Sequence, residues 1–309
     1  LTTSSAASDV YKRQSLSIDN NYIYENLTEF SEPKGIVHIC HGMAEHIRRY
    51  DWLIAKLNKD GFHVISIDHR GHGNRIHNNL KGFFDDNDGW GLVVDDLLNL
   101  LTQSNKKFPD LKQYVLAHSM GSWIALAAMQ KGMNINGLII SGSSKPLKTI
   151  LLIQKLLVKV QILLFGKSSV SIFLDNLTLG PYNNAFKPNR TIKDWISSDN
   201  DNVDDYINDP LCGFPVTNGL WNDLASGLLE VFDTKKYQKS NNSTPIFVIS
   251  GSEDPVGENG KGVSRLYNYL SKIYPNTIIE IVKNARHEVF SETTKENSYN
   301  NLFKFIDSK

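Results

Sequence analysis

The stretch "QYVLAHSMGSWIALAA", residues Gln113–Ala128, changes from strand-forming to helix-forming residues with almost no room for a turn. It begins with β-forming residues, whereas "WIALAA" at its end favours a helix. Ser119 stands at the corner, and the small residues Ala117 and Gly121 lie two positions before and after it. We therefore predict a strand, a tight and strained turn at Ser119, and a helix that starts at once.

A serine at such a corner is placed for nucleophilic chemistry. The helix that begins directly after Ser119 turns its free backbone N–H groups toward a negative charge developing beside the hydroxyl. This arrangement is the nucleophile elbow, usually G-x-S-x-G, and Ala117 here replaces the first glycine. The alternative is a serine in an ordinary strand–helix turn, which the flanking strand and helix patterns disfavour.

A serine hydroxyl needs a base, and the base needs an orienting acid. In folds that contain a nucleophile elbow, the acid and then the histidine follow the serine along the chain. Of nine histidines, only His287 follows Ser119, and it lies in "KNARHEVF" after an apolar run; the alternative is a surface histidine. Asp254, in "IFVISGSEDPVG", is the predicted acid. Its neighbour Glu253 is the nearest rival, but adjacent residues of an extended segment face opposite ways.

The reaction also needs two N–H donors for the oxyanion. The residue after the nucleophile, Met120, is one predicted donor, and Met43 in "CHGMAEH" is the other, with Gly42 allowing close approach of the backbone. We expect structural roles for the histidines of "CHGMAEH" and "DHRGHG", which shape these loops. No grouping of Cys, His and carboxylates suggests a metal, and no cofactor is predicted.

Short apolar runs alternate with helical patterns along the chain. This alternation predicts an α/β fold whose mostly parallel sheet has helices on both faces. The predicted strands, interpreted as buried on both faces, are Gly35–Cys40, Phe62–Asp68, Gln113–Ala117, Ile135–Gly142, Thr244–Gly251 and Thr277–Val282. The predicted helices are Ile47–Asp60, Gly89–Ser104, Met120–Lys131, Gly260–Tyr274 and Thr293–Asp307.

The alternation stops between residues 145 and 239, which we interpret as a helical cap inserted between a first core part, 15–144, and a second, 240–309. Its strongly apolar stretch Leu147–Gly166 carries Lys148, Lys155 and Lys159 on one narrow stripe. The preferred interpretation is a buried core helix of the cap. The alternative is a lid that contacts lipid, with weak peripheral membrane contact, although three lysines make a poor polar face for an interfacial helix.

Composition narrows the class of protein. The 309 residues have 33 acidic and 33 basic side chains, which gives no support for a nucleic-acid partner. Two cysteines, Cys40 and Cys212, make no disulfide framework, so a cytoplasmic protein is expected. No run is apolar and long enough to span a bilayer. The first 14 residues, "LTTSSAASDVYKRQ", look like a translated sequencing adaptor or, alternatively, an ordinary disordered tail, and they are excluded from the fold.

With "HGMAEH", "DHRGHG", "AHSMGS", "SGSEDPVG" and "NARHE" in this order, the chain resembles the monoacylglycerol lipase and lysophospholipase group of α/β-hydrolases. The cap segment "WISSDNDNVDDYINDPLCGFPVT" resembles that of bacterial members. The resemblance implies an eight-stranded type of sheet and a Ser119–His287–Asp254 triad, with Met43 and Met120 as oxyanion donors. Met43 stands where a smaller residue is commoner, which would narrow the acyl site. Cys212, in the cap motif, is either a thiol lining the substrate pocket or a small buried residue.

The predicted activity is hydrolysis of carboxylic lipid esters, of the monoacylglycerol or lysophospholipid type, through an acyl-enzyme. A general carboxylesterase, a peptidase or acyltransferase on the same fold, and a catalytically silent binding protein are the alternatives. A dehalogenase or epoxide hydrolase would need an aspartate at position 119. The sequence carries no prediction of oligomeric state.

Overall fold

The computed structural model of the protein describes residues 22–307, so the prediction for residues 1–14 lies outside the described residues. Seven strands form one sheet in the order β1-β3-β2-β4-β5-β6-β7. Only β1 runs antiparallel to its neighbour. The strands are β1 (Ile23–Asn26), β2 (Gly35–Cys40), β3 (Phe62–Ile67), β4 (Gln113–His118), β5 (Gly137–Ser141), β6 (Ile246–Gly251) and β7 (Thr277–Val282).

Helices cover both faces of this sheet. They are α1 (Asp51–Lys59), α2 (Gly89–Lys107), α3 (Met120–Gln130), α4 (Lys148–Phe165), α5 (Ile172–Thr178), α6 (Asn200–Asn208), α7 (Asn218–Val231), α8 (Lys261–Leu270) and α9 (Lys295–Asp307). Short 3₁₀ helices span Ile47–Tyr50, Gly73–Arg75, Gly180–Phe186 and Thr234–Tyr237.

Strand β4 illustrates how the core is divided. Val115 and Ala117 belong to the cluster that includes α2, α3 and α8, whereas Tyr114 and Leu116 belong to the cluster that includes α1 and α9. Successive side chains of a strand face opposite sides, so a strand covered on both faces is apolar throughout. The predicted mostly parallel sheet with helices on both faces is confirmed.

Three details of the sheet differ from the prediction. Strand β1 was missed because it has only four residues, of which Glu25 and Asn26 are polar; Glu25 is buried against Lys107 Nζ at 2.7 Å. The interpretation of β7 as buried on both faces is wrong, because β7 is an edge strand and its Ile278 and Ile281 are exposed. Residues 22–307 contain seven strands rather than the eight that the resemblance implied.

The segment between β5 and β6 carries α4 to α7, as the predicted insertion requires. The preferred interpretation of the apolar stretch was wrong, because Leu151 and Val158 are the only α4 residues that are buried. Helix α4 packs mainly on α7 and leaves its other sides uncovered. Helix α7, in contrast, packs on α2 and α3 of the core and is buried along most of its length. The boundaries at 145 and 239 stay a prediction.

The parallel strands end at one edge of the sheet. Cys40 at the end of β2 pairs with Ala117 of β4, and His118 at the end of β4 pairs with Ser141 of β5. At the same edge, Gly251 of β6 pairs with Val282 of β7. The loops that follow these strands therefore meet, and they carry the predicted site residues.

Candidate active site

Ser119 occupies the predicted tight turn. Its backbone has φ 50° and ψ −120°, a conformation that non-glycine residues rarely adopt, and α3 begins at the next residue. The Ser119 N–H donates to the Ser141 carbonyl at 2.9 Å, which fixes the turn against β5. A Cβ on Gly121 would lie 2.1 Å from the Cys40 carbonyl oxygen, so this position requires glycine. Ala117 lies inside β4 in the core, where its methyl group is accommodated.

His287 and Asp254 form a buried pair at the same edge. His287 Nδ1 lies 3.0 Å from Asp254 Oδ1, and both side chains are at most 5% exposed. The carboxylate also accepts from Ser250 Oγ at 2.8 Å and from the Val256 N–H at 2.9 Å. Because Asp254 accepts, Nδ1 carries the proton, and Nε2 is the atom that can take a proton from substrate or serine. The neighbouring Glu253 is exposed, in agreement with the alternation argument.

Electrostatics favour the charged form of this histidine. Burial alone would lower the pKa of His287, but the charge of Asp254 and its hydrogen bond, together with Glu288 and Glu45, raise the pKa above its ordinary value. Burial alone would raise the pKa of Asp254, and the His287 charge and the hydrogen bonds lower it overall. The pair therefore stabilises an imidazolium, the species formed when a histidine takes the proton of a nucleophile.

The two predicted oxyanion donors lie on the wall of one cavity with Ser119 and His287. Met120 is the first residue of α3, so its N–H has no partner within the helix. Met43 follows Gly42, on which a Cβ would lie 3.1 Å from Ser119 Cβ. The Gly42 N–H donates to the Glu45 carboxylate, which closes the loop beside the serine.

The other loop histidines have structural surroundings. His41 Nε2 accepts from the His69 N–H at 2.9 Å, and His72 Nδ1 lies 2.8 Å from the Arg70 carbonyl. Burial lowers the pKa of His41 and of His72 to about 3, so both are neutral near pH 7. These contacts agree with the predicted role of shaping the two loops.

A buried polar network next to the cavity was not predicted. Arg49 Nη2 donates to Glu288 at 2.7 Å and to Asn202 at 2.9 Å, and its Nε lies 3.8 Å from Glu45. Glu45 also accepts from the Tyr50 hydroxyl at 2.8 Å. Burial, and next the charge of Glu288, raise the pKa of Glu45 to about 7. The sequence signal was the four-residue spacing of Glu45 and Arg49, but the partners 153 and 239 positions away could not be identified.

The loop that carries His287 is held by residues 194–202, which lie in the segment between β5 and β6. Arg286 Nη1 donates to the carbonyls of Asp194 at 2.5 Å and Ser197 at 2.9 Å. The Glu288 N–H donates to the Ile196 carbonyl at 2.9 Å, and the Trp195 ring lies 5.1 Å from the His287 ring. Residues on both sides of the histidine thus contact the cap, which the sequence analysis did not anticipate.

The cavity beside Ser119 has a volume of about 630 Å³. Most of its lining is apolar and comes from α4, α5 and α7, and polar side chains next to Ser119 and His287 also line it. The apolar wall includes Ile150, Leu157, Leu174, Trp221 and Leu224. The polar part includes Glu45, His118 and Glu288. Such a cavity fits a long apolar ligand with one polar end.

Cys212 is not among the residues that line this cavity, and its contact with substrate stays a prediction. Its side chain is buried and packs with Trp195, Ile196 and Tyr206, while the next residue, Gly213, reaches the cavity wall. The alternative of a small buried residue is the observed one. The fold also brings Cys212 near His46 and Asp209, a grouping of Cys, His and carboxylate that the sequence spacing did not reveal.

The chain is similar in sequence and in structure to known proteins. Residues 31–294 match the family model described as serine aminopeptidase, S33 (Hydrolase_4). The chain is 26% identical to a monoglyceride lipase homolog of Monkeypox virus over 281 residues, 89% of this chain and 90% of that protein. It is 27% identical to a monoacylglycerol lipase of Mycolicibacterium smegmatis over 287 residues, 87% of each. The crystal structure of a carboxyl esterase from Bacillus coagulans superposes with a TM-score of 0.85 at 28% identity, covering 96% of this chain and 98% of the esterase.

Within residues 22–307, no helix combines the length and the apolar character that crossing a bilayer would need. The predicted resemblance to monoacylglycerol lipase-like α/β-hydrolases is confirmed by the family match and by these relatives. This chain belongs to the serine aminopeptidase S33 family, Hydrolase_4, and has the α/β-hydrolase fold.

Proposed function

We propose that this protein is a carboxylic ester hydrolase that cleaves lipid monoesters through an acyl-enzyme on Ser119. The observation that carries the proposal is that Ser119 at the elbow and His287, which is paired with the buried Asp254, lie on the wall of one largely apolar cavity. The lipase and esterase names of the relatives support the same class of reaction.

The reaction follows from the positions of these groups. His287 Nε2 takes the Ser119 proton as the hydroxyl oxygen attacks the ester carbonyl carbon. The resulting oxyanion accepts from the N–H groups of Met43 and Met120. The C–O bond to the alcohol breaks, and the alkoxide leaves with the proton from His287. Water then gives a proton to His287, attacks the acyl-enzyme, and releases the fatty acid.

The polar part of the cavity favours monoacylglycerol over lysophospholipid. Glu45 and Glu288 line this part, and the nearby Arg49 is already engaged with Glu288 and Asn202. Carboxylates accept hydrogen bonds from glycerol hydroxyls and repel a phosphate. We therefore expect the neutral head group to be preferred, with Met43 narrowing the acyl side beside the serine.

The first test is Ser119→Ala with a matched control, Ser264→Ala, at an exposed serine of α8. Ser119→Ala should abolish turnover of monoacylglycerol and labelling by a fluorophosphonate, with an unchanged melting temperature. Ser264→Ala should keep both activities. Retained turnover in Ser119→Ala would refute the assignment of the nucleophile.

A substrate panel tests the class of bond. Monoacylglycerols of several chain lengths, lysophosphatidylcholine and amino-acid arylamides are compared by kcat/KM. We expect the order monoacylglycerol, then lysophospholipid, then arylamide. A higher value for the arylamides would instead identify a peptidase and overturn the ester proposal.

We further propose weak peripheral contact with membranes through α4. The end of this helix exposes Leu163, Leu164 and Phe165, and Leu163 is 84% exposed. Contiguous exposed apolar side chains mark an interaction surface, and other residues of α4 line the cavity. The double variant Leu163→Glu/Leu164→Glu should bind phosphatidylcholine vesicles less in sedimentation, whereas Phe30→Glu, at an exposed residue of the core, should not. Equal binding of the two variants to the vesicles would contradict a membrane contact through α4.

A reducing compartment such as the cytoplasm remains the proposed location. Cys40 and Cys212 are both buried and are not joined in a disulfide, which supports this proposal.

A further inference from the structure

Three side chains with metal-binding atoms meet beside the active site but outside its cavity. His46, Asp209 and Cys212 each present one such atom, and these atoms lie within 4.8 Å of one another. His46 follows the oxyanion loop, whereas Asp209 and Cys212 lie in the cap just after α6. The group therefore connects two parts of the chain that both border the substrate cavity.

The distances fit a tetrahedral ion with three protein ligands. Zn²⁺ binds imidazole, carboxylate and thiolate at about 2.0–2.3 Å, so neighbouring ligand atoms are roughly 3.3–3.6 Å apart. His46 Nε2 and Asp209 Oδ2 are 2.8 Å apart. Since no two of the three ligand atoms are more than 4.8 Å apart, the thiol has to move by at most about 1.5 Å to complete the set. Asp209 Oδ1 accepts from the Leu211 N–H at 2.8 Å, which leaves Oδ2 oriented toward the histidine.

The surrounding charge also favours a cation. The charged groups that act on the Cys212 thiol are Arg49 and the carboxyl groups of Glu45, Asp209 and Glu288. The acidic groups outnumber the one guanidinium, which is itself paired with Glu288 at 2.7 Å. A bound divalent ion would offset this excess of acidic groups, and it would displace the thiol proton to solvent.

We propose that His46, Asp209 and Cys212 form a binding site for a thiophilic divalent cation, Zn²⁺, which links the oxyanion loop to the cap. Asp209 gives access to the site, because its side chain is 31% exposed while that of His46 is 5% exposed. The backbone nearby already joins the same two parts, since the Gly213 N–H donates to the Ala44 carbonyl at 2.8 Å. An ion at this point would strengthen an existing contact rather than create a new one.

The test is titration of the untagged, reduced full chain with Cd²⁺, followed by the ultraviolet absorption of the cadmium–thiolate bond. The wild-type protein should saturate at one Cd²⁺ per chain, and Zn²⁺ should displace the cadmium. Zn²⁺ should also raise the melting temperature, since it binds the folded state. The band should vanish in Cys212→Ser and persist in Cys40→Ser, which changes the other cysteine.

Two further variants test the remaining ligands. His46→Gln and Asp209→Asn should each weaken Cd²⁺ binding at least tenfold, whereas the exposed controls His77→Gln and Asp205→Asn should not. Asparagine can still accept from the Leu211 N–H, so the local turn is retained. A band that survives in Cys212→Ser, or wild-type protein that does not saturate at one equivalent, would overturn the site. So would affinities in both ligand variants equal to that of the wild type. Binding is the readout, so the result is independent of the proposed esterase activity.

Discussion

Ser119, the proposed nucleophile, has an unfavourable backbone conformation. A side chain at φ 50° and ψ −120° is strained by about 1–3 kcal/mol relative to glycine. The hydrogen bonds of Ser119 to β5 and to the first turn of α3 hold this conformation. The strain belongs to the turn that presents the hydroxyl to the cavity.

A pair of variants separates this strain from the chemistry. Ser119→Ala and Ser119→Gly both remove the hydroxyl, but only glycine relaxes the backbone. We expect Ser119→Gly to have a free energy of unfolding about 1 kcal/mol higher than Ser119→Ala, measured by urea denaturation. Equal stabilities would place the strain elsewhere.

The pKa of His287 predicts a pH dependence. The base must be neutral to accept the Ser119 proton, and Asp254 and its neighbours raise the pKa of His287. The rate should therefore rise with pH through a value above that of an ordinary histidine. Asp254→Asn should lower kcat by about 10³–10⁴-fold and move this transition to lower pH, as measured by kcat/KM profiles. Glu253→Gln is the control, and a shift as large in Glu253→Gln would contradict the assignment of the acid.

The same pair links stability to pH. Because the folded pKa of His287 is raised, its contribution to stability is complete below the unfolded pKa and is lost as pH rises through the folded value. The lowered pKa of Asp254 has the opposite sign, and its contribution is lost as pH falls through the folded pKa of the carboxyl. Both contributions are complete only between the unfolded pKa of the aspartate and the unfolded pKa of the histidine, so the charged pair stabilises the fold most in that pH range.

At the scale of single residues, chain order was sufficient to select the candidate triad. His287 was the one histidine after Ser119. The strand before Asp254 placed this acid at the edge where the parallel strands end, which is also the edge of Ser119. Arg49 and Arg286 were missed because their partners are far away along the chain: Glu288 and Asn202 for Arg49, and the carbonyls of Asp194 and Ser197 for Arg286. The sequence placed Cys212 at the cavity, whereas the neighbouring Gly213 lines it.

The elbow is an element in which two small residues have unequal importance. Adding a methyl group at position 121 and removing one at position 117 have different consequences. Gly121→Ala would place a Cβ 2.1 Å from the Cys40 carbonyl oxygen, whereas Ala117→Gly only removes a methyl group from a strand.

We expect Gly121→Ala to prevent folding or abolish ester turnover, because backbone atoms of β2 and α3 cannot separate without opening the sheet edge. Ala117→Gly should keep turnover and lose about 1 kcal/mol of stability. Both are measured by p-nitrophenyl ester hydrolysis and chemical denaturation. An active and stable Gly121→Ala variant would contradict the requirement for glycine at this position.

The elements of the core were predictable because each is long and has a uniform pattern. Strands β2 and β7 have the predicted bounds, and α3 ends one residue before the predicted end. Strand β1 was too short and too polar to detect. Helix α4 was misinterpreted because apolar residues on every side except one narrow lysine stripe predict burial, and nothing in the local pattern tells a buried helix from an exposed one.

At the scale of the molecule, Arg49 joins three parts of the chain: the loop after β2, the loop after β7 and the segment between β5 and β6. It does so through Glu45, Glu288 and Asn202. Its side chain is 7% exposed, so removal of the guanidinium leaves buried carboxylates without their cation.

We expect Arg49→Met to reduce the free energy of unfolding by about 3–5 kcal/mol, because it breaks a buried pair on one side only. Arg49→Lys should restore part of this loss, since an ammonium keeps the charge without the planar fork of donors. Arg190→Met removes an exposed pair with Asp204 and should change stability by less than about 1 kcal/mol. Equal effects of Arg49→Met and Arg190→Met in chemical denaturation would contradict the importance of burial.

The contacts between the cap and the histidine loop affect how this enzyme can be re-engineered. Exchange of the whole insertion for that of another hydrolase would replace the substrate walls and, with them, the backbone carbonyls of Asp194 and Ser197 that hold Arg286. We expect a chimera that retains residues 194–202 and exchanges only α4 and α5 to keep the His287 imidazole in its present position. We therefore expect the cavity walls from α4 and α5 to be exchangeable separately from the segment that contacts the histidine loop, whereas the wall from α7 follows that segment in the chain.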